Sequence, residues 1–225
     1  MSTLIRFNLT NQSNTLLDFF FFQEPAVYIG GSHVYSNSIQ NISLAPYSSS
    51  SSTYTFLINM QFYAGAQQSN TPPVVGQQSG FLSAIRAVDL TPATTSNAQN
   101  NSTTLSLSPF GLSAPVADTT AQAGSFRIVS PVFNPNLTNI NAGSAVQLAD
   151  GSVVLSNFTT VLPNQNLDCQ PILKYYIQTG SYQAGTVMNF TSSSLTAALC
   201  DATGGETTFD VSYNIDGTWT VNPSC

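Results

Sequence analysis

Few residues in this sequence are of a type that could do chemistry, and their spacing decides what chemistry is open to them. His33, in "GGSHVY", is the only histidine. Any serine nucleophile would have to use it as its base. It follows the Gly30-Gly31 pair, a turn signature, and at such a place a histidine is ordinarily a surface residue. Glu206 and Asp210 are four residues apart on a predicted strand, so period two places both on one face. Two facing carboxylates are what acid–base glycoside chemistry needs, although any strand with two acids can bring them together by chance. Asp150 and Asp216 each precede a glycine and read as turn residues. Cys169, Cys200 and Cys225 form no C-x-x-C pair, and a four-ligand zinc site would need all three together with the sole histidine, so none is expected. The thiols are either all reduced, or Cys225 is joined to Cys169 or Cys200. No nucleophile elbow, metalloprotease helix, P-loop, dinucleotide fingerprint or EF-hand spacing is present. The expectation is a non-enzymatic protein with no catalytic, cofactor-binding or metal-binding residue.

Composition narrows the partners. Only 6% of the 225 residues are charged, and the formal net charge is −6. A typical domain carries about 25% charge. Serine, threonine, asparagine and glutamine must therefore provide most of the wet surface. The four cations, Arg6, Arg86, Arg127 and Lys174, are scattered along the chain. Nucleic acid needs several phosphate-neutralising cations on one face, so that class is excluded. The start, "MSTLIRFNLT", has no basic region followed by an apolar run and reads as a strand. Cytoplasmic synthesis is expected, so an extracellular role would need non-classical export and sequons such as Asn8-Leu9-Thr10 would stay unmodified. The longest apolar run, "FFFF" at 19–22, falls far short of the roughly 20 residues of a membrane helix.

The elements that would position these residues are strands. "TYTFLINMQFY" at 53–63 alternates apolar and polar over its length and predicts one long strand. Ile5, Phe7 and Leu9 alternate in the same way near the start. In "LDFFFFQEP" consecutive side chains must point to opposite faces. Phe19 and Phe21 are therefore expected in one layer and Phe20 and Phe22 in another, on a central strand flanked by others. A two-residue Asp150-Gly151 turn would set Leu148 opposite Val153 and Val146 opposite Leu155. At "FDVSYNIDGTWTV" a two-residue turn would pair Asn214 with Trp219. A three-residue loop, Ile215-Asp216-Gly217 with left-handed Gly217, pairs Tyr213 with Trp219 and Val211 with Val221 instead. Further strands are predicted at 40–45, 81–90, 103–107, 125–133, 172–178 and 186–190, separated by long polar loops at 65–80, 91–102 and 108–124. The fold expected is all-β: an antiparallel β-sandwich, jelly-roll-like, as a single domain over 1–225. "FFFFQEPAVYIGGSHVYSNSI" and "KYYIQTGSYQAGTVMNFTSSS" echo each other, as a duplication forming two facing sheets or a bias of composition would produce.

The order "DFFFFQEP", "VYSNSI", "STYTFLINMQFY", then "PILKYYIQTGSYQAGTVMNFTSSS" and "TTFDVSYNIDGTWTV" resembles the rhizosphere-expressed, RhiA-like bacterial proteins over residues 1–63 and 171–221. Ile172-Leu173 intervenes where that family has proline directly before lysine, and the middle of the chain does not match. The resemblance implies a bacterial, non-enzymatic β protein and supplies no site residues.

Two functions fit. Low charge, uncharged polar loops and aromatic strands suggest a structural protein that self-associates into a filament, tube or ordered inclusion, its first strand, whose one charge is Arg6, and its uncharged 53–63 strand serving as open edges. Alternatively, Tyr47, Tyr63, Tyr175, Tyr176, Tyr182, Tyr213 and Trp219 could stack on sugars, which would make a glycan- or lipid-binding, lectin- or toxin-like module.

Overall fold

A computed structural model describes residues 4–94, 97, 99–148 and 150–225. Parts of the predicted 91–102 loop and of the turn before Asp150 lie outside the described residues. The chain shuttles between two sheet pairs. β1 (Leu4–Asn11) and β2 (Leu17–Gln23) open the first pair, and β3 (Val27–Ile29) and β4 (Val34–Asn37) open the second. The chain returns for β5 (Gln40–Leu44), the short α1 (Tyr47–Ser50) and β6 (Tyr54–Asn59), then leaves at β7 (Tyr63–Ser69). It stays in the second pair through β8 (Leu82–Ala87), β9 (Ser102–Leu107), β10 (Phe110–Leu112), β11 (Phe126–Val129), β12 (Asn139–Gln147), β13 (Val153–Thr160) and β14 (Asn166–Gln170). β15 (Lys174–Thr179) rejoins the first pair and β16 (Val187–Met188) the second. After α2 (Phe190–Ser194), β17 (Ala198–Asp201), β18 (Thr208–Tyr213) and β19 (Trp219–Ser224) complete the first.

Four sheets result, with orders β19-β18-β1-β6, β17-β15-β2-β5, β10-β9-β11-β14-β3 and β16-β4-β13-β12-β7-β8. They are named A, B, C and D here. Sheets A and B enclose one apolar core, and C and D another. The fold is all-β with sandwich packing, as the sequence predicts. Among the described residues two ladders are parallel, β1 with β18 and β9 with β11.

The phenylalanine run behaves as its spacing requires. β2 lies between β15 and β5. Phe19 and Phe21 enter the A/B core, while Phe20 and Phe22 pack beneath Tyr176, Tyr182 and Phe190 on the other face of B. All four are almost fully buried. The late hairpin also has the predicted register, with Tyr213 opposite Trp219, Val211 opposite Val221 and Gly217 at φ 83°.

Three expectations are corrected. The 53–63 strand is two strands in different sheets. Asn59 Oδ1 accepts the Gln61 N–H at 3.0 Å and turns the chain. The apolar alternation nevertheless continues, because Met60 packs on the first core and Phe62 on the second. The 150–151 hairpin closes one residue earlier: Leu148 N–H donates to Ser152 O at 2.9 Å, and Val146 faces Val154. Gly151, at φ 83°, occupies the left-handed position of a three-residue loop. Finally, 65–69 is not loop but part of β7, between β12 and β8 in sheet D. Gly65 fits because side chains of its own sheet crowd it: a Cβ there would lie 2.6 Å from Leu155 Cδ1 and 2.8 Å from Ala145 Cβ.

The echoing segments do not form facing sheets. They run side by side, β2 antiparallel to β15 in sheet B and β4 antiparallel to β16 in sheet D. An approximate twofold relation fits that pairing.

Candidate functional site

The predicted chemical residues do not converge. His33 is exposed. Glu206 falls in the turn before β18, while Asp210 lies on the outer face of sheet A, where Asn8 Nδ2 donates to Asp210 Oδ1 at 2.7 Å. Asp150 and Asp216 each accept a backbone N–H two residues on, from Ser152 and Thr218. Those bonds, with the hydroxyls of the same residues, hold both carboxyls below their usual pKa. The cysteines are all free: Cys169 is buried in the second core, Cys200 in the first, and Cys225 is exposed. Of the seven aromatic residues proposed for sugar stacking, Tyr63 and Tyr175 are buried, and Tyr213 and Trp219 meet Phe19 edge to face. They share no common surface.

One polar cluster was not foreseen. Arg127, on β11, is buried and uses every side-chain N–H group. Its Nε and Nη2 donate to the two oxygens of Asp168 at 2.6 and 2.8 Å. Its Nη1 donates to Asp118 and Thr120 Oγ1, and Nη2 also donates to Thr120 O. Hydrogen bonds from Thr120, then the guanidinium, hold the Asp118 carboxyl below its usual pKa. A buried cation with all its donors spent is a structural tie between β11, β14 and the 118–120 segment. Sequence separation hid it, because the partners are 9 and 41 residues away.

A cleft of about 460 Å³ opens between β17 and β19, lined by Leu199, Asp201, Thr203, Glu206, Val221 and Pro223. Lys174 Nζ stands 3.6 Å from Asp201 at its border. Among the described residues, no group of three or more potential metal ligands exists, and no helix is long and apolar enough to cross a membrane.

The sheet edges differ in how they end. β1, expected as an edge, is central, between β18 and β6. β6 is an edge, but the tip of the β12–β13 hairpin lies along it: Ile58 bridges to Leu148, and Asp150 approaches Tyr54 closely enough to raise its pKa further, beyond the effect of burial. β16 is covered by residues 76–79, with Val187 N–H donating to Gln77 O at 2.9 Å. β19 ends in Pro223. Asn214 N–H donates to Thr218 O, so in this antiparallel ladder residues 220, 222 and 224 face β18, and the backbone of 219, 221 and 223 faces outward. Proline stands where no donor is needed inside the sheet and none is offered outside.

β8 has no strand, covering segment or proline along its outer edge among the described residues, although β10 of sheet C packs near it. Val88 N–H donates to Phe62 O at 3.0 Å, which makes 64/86, 66/84 and 68/82 the hydrogen-bonded pairs. Ser83, Ile85 and Ala87 therefore turn their backbone N–H and C=O groups outward. Phe81 and Leu82 beside them are exposed, at 61% and 43%. The single charge on the strand, Arg86, is occupied at home, its Nε donating to Leu112 O at 2.8 Å.

No family model, curated protein or solved structure matches this chain.

Proposed function

We propose that this chain is a structural protein that associates with copies of itself into an ordered assembly, and that it has no enzymatic activity, as the resemblance to bacterial RhiA-like proteins implies. The observation that carries this reading is the open β8 edge on a molecule with 6% charged residues. Backbone donors and acceptors at a free edge pair readily with another chain, and proteins ordinarily guard them with charge, proline or a covering loop. Here β6, β16 and β19 are guarded in one of those ways and β8 is not. Little net repulsion opposes the approach of a second copy. Such contacts depend on backbone hydrogen bonds and apolar burial, so salt hardly weakens them.

The β17–β19 cleft favours a second reading, a glycan-binding module in which Asp201 and Glu206 accept sugar hydroxyls above the apolar surface of Val221 and Pro223. Negative-stain microscopy of the purified protein separates the two. Ordered polymers or regular oligomers support the first. Discrete single particles that bind a glycan array, or leak liposomes, support the second and reject the first.

A further inference from the structure

The β8 edge carries more than openness, because its free groups are self-complementary. The outward residues Ser83, Ile85 and Ala87 are evenly spaced around Ile85. Two copies of β8 laid antiparallel about a twofold axis through Ile85 would set Ser83 against Ala87 of the second copy, Ile85 against Ile85, and Ala87 against Ser83. Each such pair exchanges both of its backbone hydrogen bonds. None of the three is proline, and the Arg86 guanidinium is drawn away from the outward groups, to Leu112 O on β10 of the facing sheet C. β19 could not do the same. Centred on Val221, it would oppose Trp219 to Pro223, and each copy would lose a donor.

We infer that β8 is the interface through which a second copy of this chain docks, in an isologous antiparallel pairing centred on Ile85 that joins sheet D of both molecules into one continuous sheet. This rests on the self-association proposed above and names its surface and register. The exposed Phe81 and Leu82, next to the pairing strand, add apolar area at both ends of the contact. An isologous contact closes on itself. Growth beyond a dimer therefore needs a second surface, which variants that disable β8 would leave intact.

The test uses the full chain and exploits the register. Ser83 and Ala87 are both exposed, and their side chains share one face of the strand with Ile85. In the double variant Ser83→Glu/Ala87→Glu, like charges stand directly opposite in both outer pairs. Its dimer should dissociate about tenfold more readily than wild type in sedimentation velocity at low salt. In Ser83→Lys/Ala87→Glu each lysine meets a glutamate, and association should return, weakening again as salt rises. The variant Ser83→Pro/Ala87→Pro removes only outward donors and should be monomeric at this interface with an unchanged circular dichroism spectrum. If that variant misfolds, the charge pair decides alone. If wild type assembles and the Glu/Glu variant assembles equally well, the β8 interface is wrong while self-association stands. A wild type that is monomeric throughout rejects both.

Discussion

In the first sandwich Phe7 stacks on Phe56 and Phe209, and Phe21 lies with its ring centre 4.6 Å from that of Phe56. In the second the corresponding layer is built from Ala64, Ala66 and Ala142 with Phe126, Ile128 and Leu167. Around it lie buried Asn37, Asn141, Asn157, Gln67 and the Arg127–Asp168 pair. The first sandwich is thus held by large apolar surfaces, the second by smaller apolar residues together with buried polar side chains that hydrogen-bond to one another. Asn37 Nδ2 donates to Ser79 Oγ and Ser79 Oγ donates to Gln67 Oε1, so the strands of sheet D are tied to the 76–79 segment through their side chains. Chain order follows the same division. Every strand of the first sandwich comes from 4–59 or 174–224, and the second is drawn mainly from 63–170. An aromatic core tolerates solvent changes that a hydrogen-bonded one does not, so the two halves should fail under different conditions.

The largest expected effect tests the aromatic half. Phe21→Ala deletes a ring in contact with both Tyr54 and Phe56 and should cost about 3–5 kcal/mol in urea unfolding. A cost below about 1 kcal/mol would mean that the layer collapses into the gap or is loosely packed. Next comes the polar half. Arg127→Met strands the buried Asp168 carboxylate and should cost about 3 kcal/mol, whereas Arg127→Met/Asp168→Leu should recover part of that loss, because replacing a whole buried pair is far cheaper than breaking it. Equal costs for the single and double variants would show that the pair is not a closed unit.

Acid should separate the halves without mutation. The Asp118 carboxyl, in the Arg127 cluster, has its pKa lowered in the folded protein. A depressed folded pKa contributes stability that is complete above the unfolded value of about 4 and is lost as pH falls through the folded value. The depressed carboxyls of the first sandwich, Asp201 and Asp216, are held by Thr203 and Thr218 in surface turns, whereas Asp118 is tied to the buried Arg127–Asp168 pair. Hydrogen exchange below about pH 4 should therefore rise first in β9, β11 and β14, and uniform loss of protection across both sandwiches would contradict the division. The smallest effect is chemical. Burial pushes the Cys200 thiol up to about 12 and the Cys169 thiol higher still. A thiol reagent at pH 8 should modify Cys225 alone until the protein is unfolded.

The same contrast explains what was legible in the sequence. Phe19 to Phe22 and the Tyr213–Trp219 hairpin could be placed because large apolar side chains at period two admit only one register. Ala64-Gly65-Ala66 gave no such signal, because the crowding that demands a small residue at 65 comes from Ala145 and Leu155, about eighty and ninety residues further on. The break at Asn59 was masked by Met60 and Phe62, which keep the alternation running while serving two different cores. The parallel β1–β18 ladder joins residues about two hundred positions apart, and no local pattern marks it. The β8 edge was equally hidden. "LSAIRA" reads as an ordinary strand, and its exposure depends on which strands the fold leaves without a neighbour.

Self-association is tested most directly by sedimentation velocity of the wild-type chain at tens of micromolar, first at low salt and then at about 1 M, where the Debye length is about 3 Å. The account predicts a dimer or larger species in both conditions, with little change between them, because the contacts are backbone hydrogen bonds and apolar surface. A single monomeric species at both salt concentrations would contradict it.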